Sequence, residues 1–258
     1  MTMTRFLKSL VVAAALLLAA PAYAQTATNI GTVTTTGAAS ISVTTGTVPA
    51  GALIFGACSE INFGLTTTPG SMADATNGTY TAVTPKAQGT GTTRGIGQIF
   101  YFPNSAALSS VSVTYTLGLI TDGAACSFFY ITGIKPTSPL DTSVTKQSSG
   151  RLALVALTSG TPSVAGEFFV AVLTADDSGG TTYTQDTIDS WVAPPTFAFN
   201  NAADVSVAGG GQINAGTGTN EFNPPNAATE FTDWAAQIVA FEAFEPNTKS
   251  TFIFRPFP

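Results

Sequence analysis

At 258 residues the chain can bury one large core or two small ones, yet only 9% of it is charged, with nine Lys and Arg against 15 Asp and Glu and a formal charge of −6. The few cations are scattered, which excludes nucleic-acid binding through phosphate neutralisation and argues against anionic membrane surfaces as partners. Histidine is absent, so Ser-His-Asp and Cys-His catalysis and the usual His-based zinc sites are removed together.

The chain opens with Arg5 and Lys8, then the apolar run Leu10 to Ala20, then Ala22-Tyr23-Ala24. That order is a secretory signal peptide over 1–24, cut before Gln25. Loss of Arg5 and Lys8 makes the mature chain more acidic by two charges. Gln rather than Cys follows the cut, so no lipid anchor is expected there. The protein is expected to be exported, to the periplasm, the cell surface or the medium. No later apolar run reaches the roughly 18 residues of a spanning helix. A transmembrane barrel needs many alternating strands of about ten residues, and Val111 to Ile120 is the one segment that fits well.

Residues 25–50 form a Thr/Gly-rich leader. Thr26 to Thr47 has few large side chains and almost no charge, as expected of a flexible leader or of a strand that completes another subunit's sheet. From residue 51 to 258 short apolar runs alternate with Gly, Pro, Asn and Asp, the pattern of an all-β protein. Leu53 to Phe55, Ile61 to Phe63 and Ile99 to Phe102 read as strands. In Val111 to Ile120 the odd positions Val111, Val113, Tyr115, Leu117 and Leu119 are apolar and the even ones Ser112, Thr114 and Thr116 polar, so one face is wet. Cys126 to Ile131 follows after Asp122-Gly123 and is expected to complete a hairpin with it.

Gly133 to Gly150, with Pro136 and Pro139, reads as a loop that could divide two domains. Arg151 to Leu157 and Phe168 to Thr174 are apolar on both faces and are expected as central strands, joined as a second hairpin through Thr158 to Gly166. Thr196 to Phe199 and Val205 to Val207 are further strands, and Ala208 to Ala228, with Gly209-Gly210-Gly211 and Pro224-Pro225, a loop. In the C-terminal part, Trp234, Ile238 and Phe241 have helical spacing. Ile238 to Phe244, Glu245 to Lys249 and Thr251 to Phe254 instead read as strand, turn and strand, and the hairpin is favoured. No internal repeat is evident, and the expected fold is a single antiparallel β-sandwich, immunoglobulin-like or jelly-roll-like, with long Gly/Pro/Asn-rich loops.

Cys58 and Cys126 are expected to pair, because disulfides form and persist in an exported chain. Two cysteines alone hold no structural zinc, and Gly91 to Gly97 lacks the βαβ setting of a dinucleotide fingerprint. Glu242 and Glu245 are close in sequence but fall on opposite faces of a strand, and no carboxylate pair is marked for glycoside hydrolysis. Asp176 and Asp177, with Asp186 and Asp189 nearby, could offer oxygens to calcium, although the spacing is not that of an EF-hand and a plain turn explains it too. No cofactor is expected, and calcium is the one ion for which the sequence offers ligands. Trp191, Trp234, Tyr183 and Phe222 lie in or beside polar segments and could stack on sugar faces, or else anchor the core. Phe252, Phe254 and Phe257 could form an adhesive edge or a last core strand.

Cys58-Ser-Glu-Ile-Asn-Phe-Gly64, placed after the Thr-rich leader, resembles the Cys then Asn/Asp-Phe-Gly element near the start of spore coat protein U-like and related chaperone–usher pilin subunits. The resemblance covers under a tenth of the chain. It implies an incomplete immunoglobulin-like sandwich completed by a neighbour's N-terminal strand. The second cysteine lies farther on than in that family, and the chain is longer. The function expected from all of this is non-enzymatic: a secreted structural or adhesive protein of the bacterial envelope, an appendage or a matrix, associating with itself or with other envelope proteins. The alternative is a monomeric carbohydrate- or ligand-binding module, and a hydrolase working through carboxylates or a metal is the reading of last resort.

Overall fold

The structure is a computed structural model that describes residues 25–62, 68–88, 95–119, 123–149, 157–176, 191, 205–214, 216–223 and 233–245. The expectations for 1–24, 196–199 and 251–258 lie outside these residues. What is described is all-β. In chain order the strands are β1 (Thr26–Thr35), β2 (Ser40–Thr44), β3 (Thr47–Val48), β4 (Leu53–Ile61), β5 (Ser71–Asp74), β6 (Gly78–Thr79), β7 (Thr81–Ala82), β8 (Lys86–Gln88) and β9 (Gly95–Phe102). They continue as β10 (Leu108–Ser109), β11 (Ser112–Thr116), β12 (Gly123–Thr132), β13 (Leu140–Ser149), β14 (Leu157–Thr158), β15 (Glu167–Asp176), β16 (Val205–Asn214), β17 (Glu221–Phe222) and β18 (Asp233–Phe241).

Three larger antiparallel sheets stack face to face. A central sheet runs β1-β12-β4-β9, with β7 and β8 both on the far edge of β9. An outer sheet runs β2-β11-β5-β6, and a third runs β13-β18-β15-β16. Two short ribbons, β3/β10 and β14/β17, and an isolated bridge between Ile134 and Ala243 complete the described pairing.

The period of two along each strand explains the stacking. On β4, Leu53, Phe55, Ala57 and Ile61 meet Phe168, Val170, Val172, Val239 and Phe241 of the third sheet. Ile54 and Cys58, on the opposite face, meet Ile41, Met72, Val113 and Tyr115 of the outer sheet. The central sheet is therefore buried on both sides, as its uninterrupted apolar strands require. The third sheet is covered twice as well: Phe169, Ala171, Leu173, Trp234, Ala236 and Ile238 pack against Leu157, Trp191 and Phe222 on its far side. Phe241 ties the two inner layers together, edge-on to Phe55 at 6.0 Å and to Tyr101 at 5.4 Å. At Gly97 a Cβ would stand 2.1 Å from Thr174 Oγ1, so glycine is what lets the sheets come this close.

Several strand assignments differ from the sequence expectation, each for a physical reason. Val111 to Ile120 and Cys126 to Ile131 do not form a hairpin. β11 pairs β2 and β5 in the outer sheet, whereas β12 pairs β1 and β4 in the central one. A strand with one wet face belongs in an outer layer, and one with two apolar faces belongs between layers. Of the expected strand Arg151 to Leu157, residues 151–156 lie outside the described residues; Leu157 pairs in β14 with β17, while β15 pairs β16 and β18. β4 runs unbroken from Leu53 to Ile61 where two strands were expected.

Gly133 to Gly150 is not a loop throughout, since β13 fills 140–149 and pairs β18. Gly209-Gly210-Gly211 is the middle of β16, opposite Val172, Ala171 and Val170. In the C-terminal segment β18 spans Asp233–Phe241, starting and ending earlier than the strand expected at Ile238 to Phe244, and the helical spacing of Trp234, Ile238 and Phe241 carries no helix. The Thr-rich leader supplies β1 and β2, and β1 pairs β12 of its own chain along most of its length.

Candidate functional site

A pocket of about 480 Å³ opens where the central and third sheets end side by side. Ala50, Gly51 and Ala52, before β4, form one wall with Asn104, just after β9; Thr132, the last residue of β12, and Gly133, Ile134 and Pro136 after it form the other with Phe244, beyond β18. Gly51, Asn104 and Gly133 hold left-handed backbone at φ of 83°, 52° and 74°. Tight reversals at three strand ends thus bring short loops to one place, and glycine and asparagine are the residues that tolerate this conformation.

Both walls are braced. Gly51 N–H donates to Ser105 O and Ser105 N–H to Ala52 O, each at 2.8 Å. Ser105 in turn accepts from Asn77 Nδ2 at 3.1 Å, and Asn77 is held by Asp74, which also receives the Tyr80 hydroxyl at 2.6 Å. On the other side Phe244 N–H donates to Gly133 O, Lys135 N–H to Glu242 O, and the Lys135 and Glu242 side chains pair at 2.7 Å. The lining is chiefly apolar. Asn104 and Thr132 offer polar side chains, and Phe244 keeps a partly exposed ring. Such a mixture can hold a small ligand or a partner's side chain by contact.

No protein-family model and no curated protein matches the chain.

Of the aromatics singled out from sequence, Trp191, Trp234 and Phe222 are fully buried in the core beyond the third sheet. Trp191 donates its indole N–H to Glu221 O and meets Phe222 edge-on at 5.6 Å. These three rings anchor the core and are not presented to a sugar; Tyr183 lies outside the described residues. Of the calcium candidates, Asp176 ends β15 opposite Asp233 and Val205, while Asp177, Asp186 and Asp189 lie outside the described residues. No described group of three or more His, Cys, Asp or Glu residues is arranged as a metal cluster.

Cys58 and Cys126 form a disulfide across the centre of the β4–β12 ladder, with Cα atoms 4.2 Å apart. Among the described residues no helix is long and apolar enough to cross a membrane.

Sequence reasoning missed the pocket because its residues come from four separate strand ends. The local signals were present in Pro103-Asn104-Ser105 and Thr132-Gly133, two turn-prone steps that each close an apolar strand. It also missed two buried carboxylates. Glu60 is enclosed between the central and outer sheets beside Tyr115, and burial pushes its pKa up to about 7 against the pull of the Tyr115 hydroxyl and the Gly118 backbone. Glu167 is enclosed at the start of β15. Neither position stands out in the linear sequence from surface acids such as Glu221 or Glu245.

Proposed function

We propose that this is an exported structural or adhesive protein of the bacterial envelope, an appendage or a matrix, which acts by surface contact and self-assembly and not by catalysis. The observation that carries the reading is the free face of the outer sheet. Ser40, Ser42 and Thr44 on β2, Ser112, Thr114 and Thr116 on β11, Ser71 on β5 and Thr79 on β6 share that face, with no charged residue among them. The register sets them in rows, Ser42 opposite Thr114 and Thr116 between Ser40 and Ser71, with Ser42 and Thr114 hydroxyls bonded at 2.8 Å.

A face of this kind can be covered by another protein surface without desolvating an ion, and hydroxyls find new partners readily. The disulfide supports a place outside the reducing cytoplasm.

Light scattering across a concentration series tests the reading. The mature protein should associate, and Ser42→Lys with Thr114→Lys should return it to monomer while leaving its circular dichroism unchanged, since both sites are at the surface. A wild-type protein that stays monomeric at high concentration sinks the proposal.

The end pocket favours a second reading, a monomeric module that binds a glycan or other small ligand through Phe244. In that case Phe244→Ala should abolish retention on immobilised glycans with no loss of thermal stability, whereas retention unchanged by the substitution eliminates the pocket as the binding site.

A further inference from the structure

Two carboxylates, Asp141 and Glu167, meet at the end of the third sheet. Asp141 is the extra residue of a β-bulge: Leu140 pairs Phe241 and Thr142 pairs Ala240, which leaves Asp141 unpaired and turns its side chain out of the ladder's alternation. Glu167 opens β15 on the far side of β18. Both reach the turn that precedes β15. Ser163 N–H donates to Asp141 Oδ2 at 2.8 Å, Val164 N–H to Glu167 Oε1 at 3.2 Å, and the Ser163 hydroxyl stands 3.5 Å from Glu167 Oε1.

Glu167 is 0% exposed, and its second oxygen, Oε2, has no hydrogen-bond donor. Glu242, a further carboxylate whose charge acts on Glu167, pairs with Lys135 at 2.7 Å. Neither Asp141 nor Glu167 forms an ion pair with a described residue. Burying a carboxylate with an unmatched oxygen beside a second carboxylate is expensive unless something positive lies between them.

We propose that Asp141, Glu167 and the Ser163 hydroxyl bind one calcium ion, which ties the bulge of β13 to the 159–166 turn and the start of β15. Two carboxylates and a hydroxyl are hard oxygen ligands, and water fills the remaining positions of a calcium shell. A site with so few protein ligands belongs in the range of extracellular modules, with a dissociation constant of about 10⁻⁴ to 10⁻³ M. Burial, and then the charge of Asp141 and a hydrogen bond with its carboxyl, push Glu167 toward its protonated form against the pull of the Val164 N–H, so the ion's rival for the same place is a proton.

Thermal unfolding of the full mature protein at neutral pH, in EDTA and in calcium chloride, tests this. At about 5 mM calcium the melting temperature should rise by about 3–5 °C, with a smaller rise in magnesium, which dehydrates reluctantly. Glu167→Gln and Asp141→Asn keep acceptors for the Val164 and Ser163 N–H groups, so each variant should fold; each should lose the calcium response. Two results overturn the proposal. One is a wild-type melting temperature that calcium leaves unchanged while acidification alone raises it, which assigns the place to a shared proton. The other is a calcium shift of equal size in both variants.

Discussion

Replacing Cys58 and Cys126 together by Ala should leave the sheets formed and lower the free energy of unfolding by about 4 kcal/mol, the entropy that a closed loop of this length removes from the unfolded chain. The two residues are 68 apart in sequence but directly opposite on β4 and β12. The flanking ladder is paired from Leu53–Ile131 to Ile61–Gly123 whether or not the sulfurs are joined, so the covalent link acts mainly on the unfolded state. Both cysteines are buried within the core between the central and outer sheets, and truncation to Ala adds a small packing loss in the same direction. Urea titration followed by circular dichroism is the check: the native spectrum should persist in the variant while the midpoint falls. A loss below about 1 kcal/mol, the size of a single weak contact, would contradict the loop argument.

A second large effect should appear in the pH profile. Burial holds the folded Glu60 pKa at about 7 against an ordinary value of 4.5, with the Tyr115 hydroxyl and Gly118 backbone pulling the other way. The folded state therefore keeps this proton more tightly than the unfolded chain does. Its contribution to stability is fully present below pH 4.5 and is lost as the pH rises through about 7. A gap of that size corresponds to about 3 kcal/mol between pH 4.5 and 8.

Glu60→Gln, neutral throughout, should flatten this part of the curve and make the variant more stable than wild type at pH 8. Tyr115 stays un-ionised over the whole window, because burial and the neighbouring Glu60 raise its pKa well above the ordinary value. Glu167 shifts in the same direction through burial. Asp74 shifts downward, because hydrogen bonds from Tyr80, Asn77 and Thr76 outweigh its burial. Both are common to wild type and variant, so the difference between the two curves isolates Glu60. Parallel curves would show that the carboxylate is solvated in the folded protein.

The layer each strand occupies was more legible than its partner. The alternation of Val113 and Tyr115 with Ser112 and Thr114 placed β11 at a wet face, and the unrelieved apolar run around Phe169 to Leu173 placed β15 inside a sheet. Adjacency in sequence then suggested hairpins, and here it misled: the same difference in patterning that distinguishes β11 from β12 sends them to different sheets. Edge strands were the hardest to see. β13, with Asp141, Lys146 and Gln147, carries too little apolar side chain to announce a strand, and its pairing comes from β18. β16 contains three consecutive glycines that ordinarily signal a loop, yet Gly209, Gly210 and Gly211 are all buried. Among the candidate site residues, the disulfide followed from having two cysteines and from the export expected of the opening segment. The bulge that turns Asp141 toward the 163–164 turn is a property of strand register, which residue type does not encode.

The order of the layers also has a consequence for biogenesis. The central and outer sheets are drawn wholly from residues 26–132, and the third sheet from 140–241. A chain that emerges N-terminus first can lay down two layers early, but Leu53, Phe55, Phe129 and Ile131 then remain uncovered until Phe168, Val170 and Phe241 arrive. For that interval the nascent protein displays a broad greasy plane, the kind of surface that recruits chaperones and seeds aggregation when synthesis stalls.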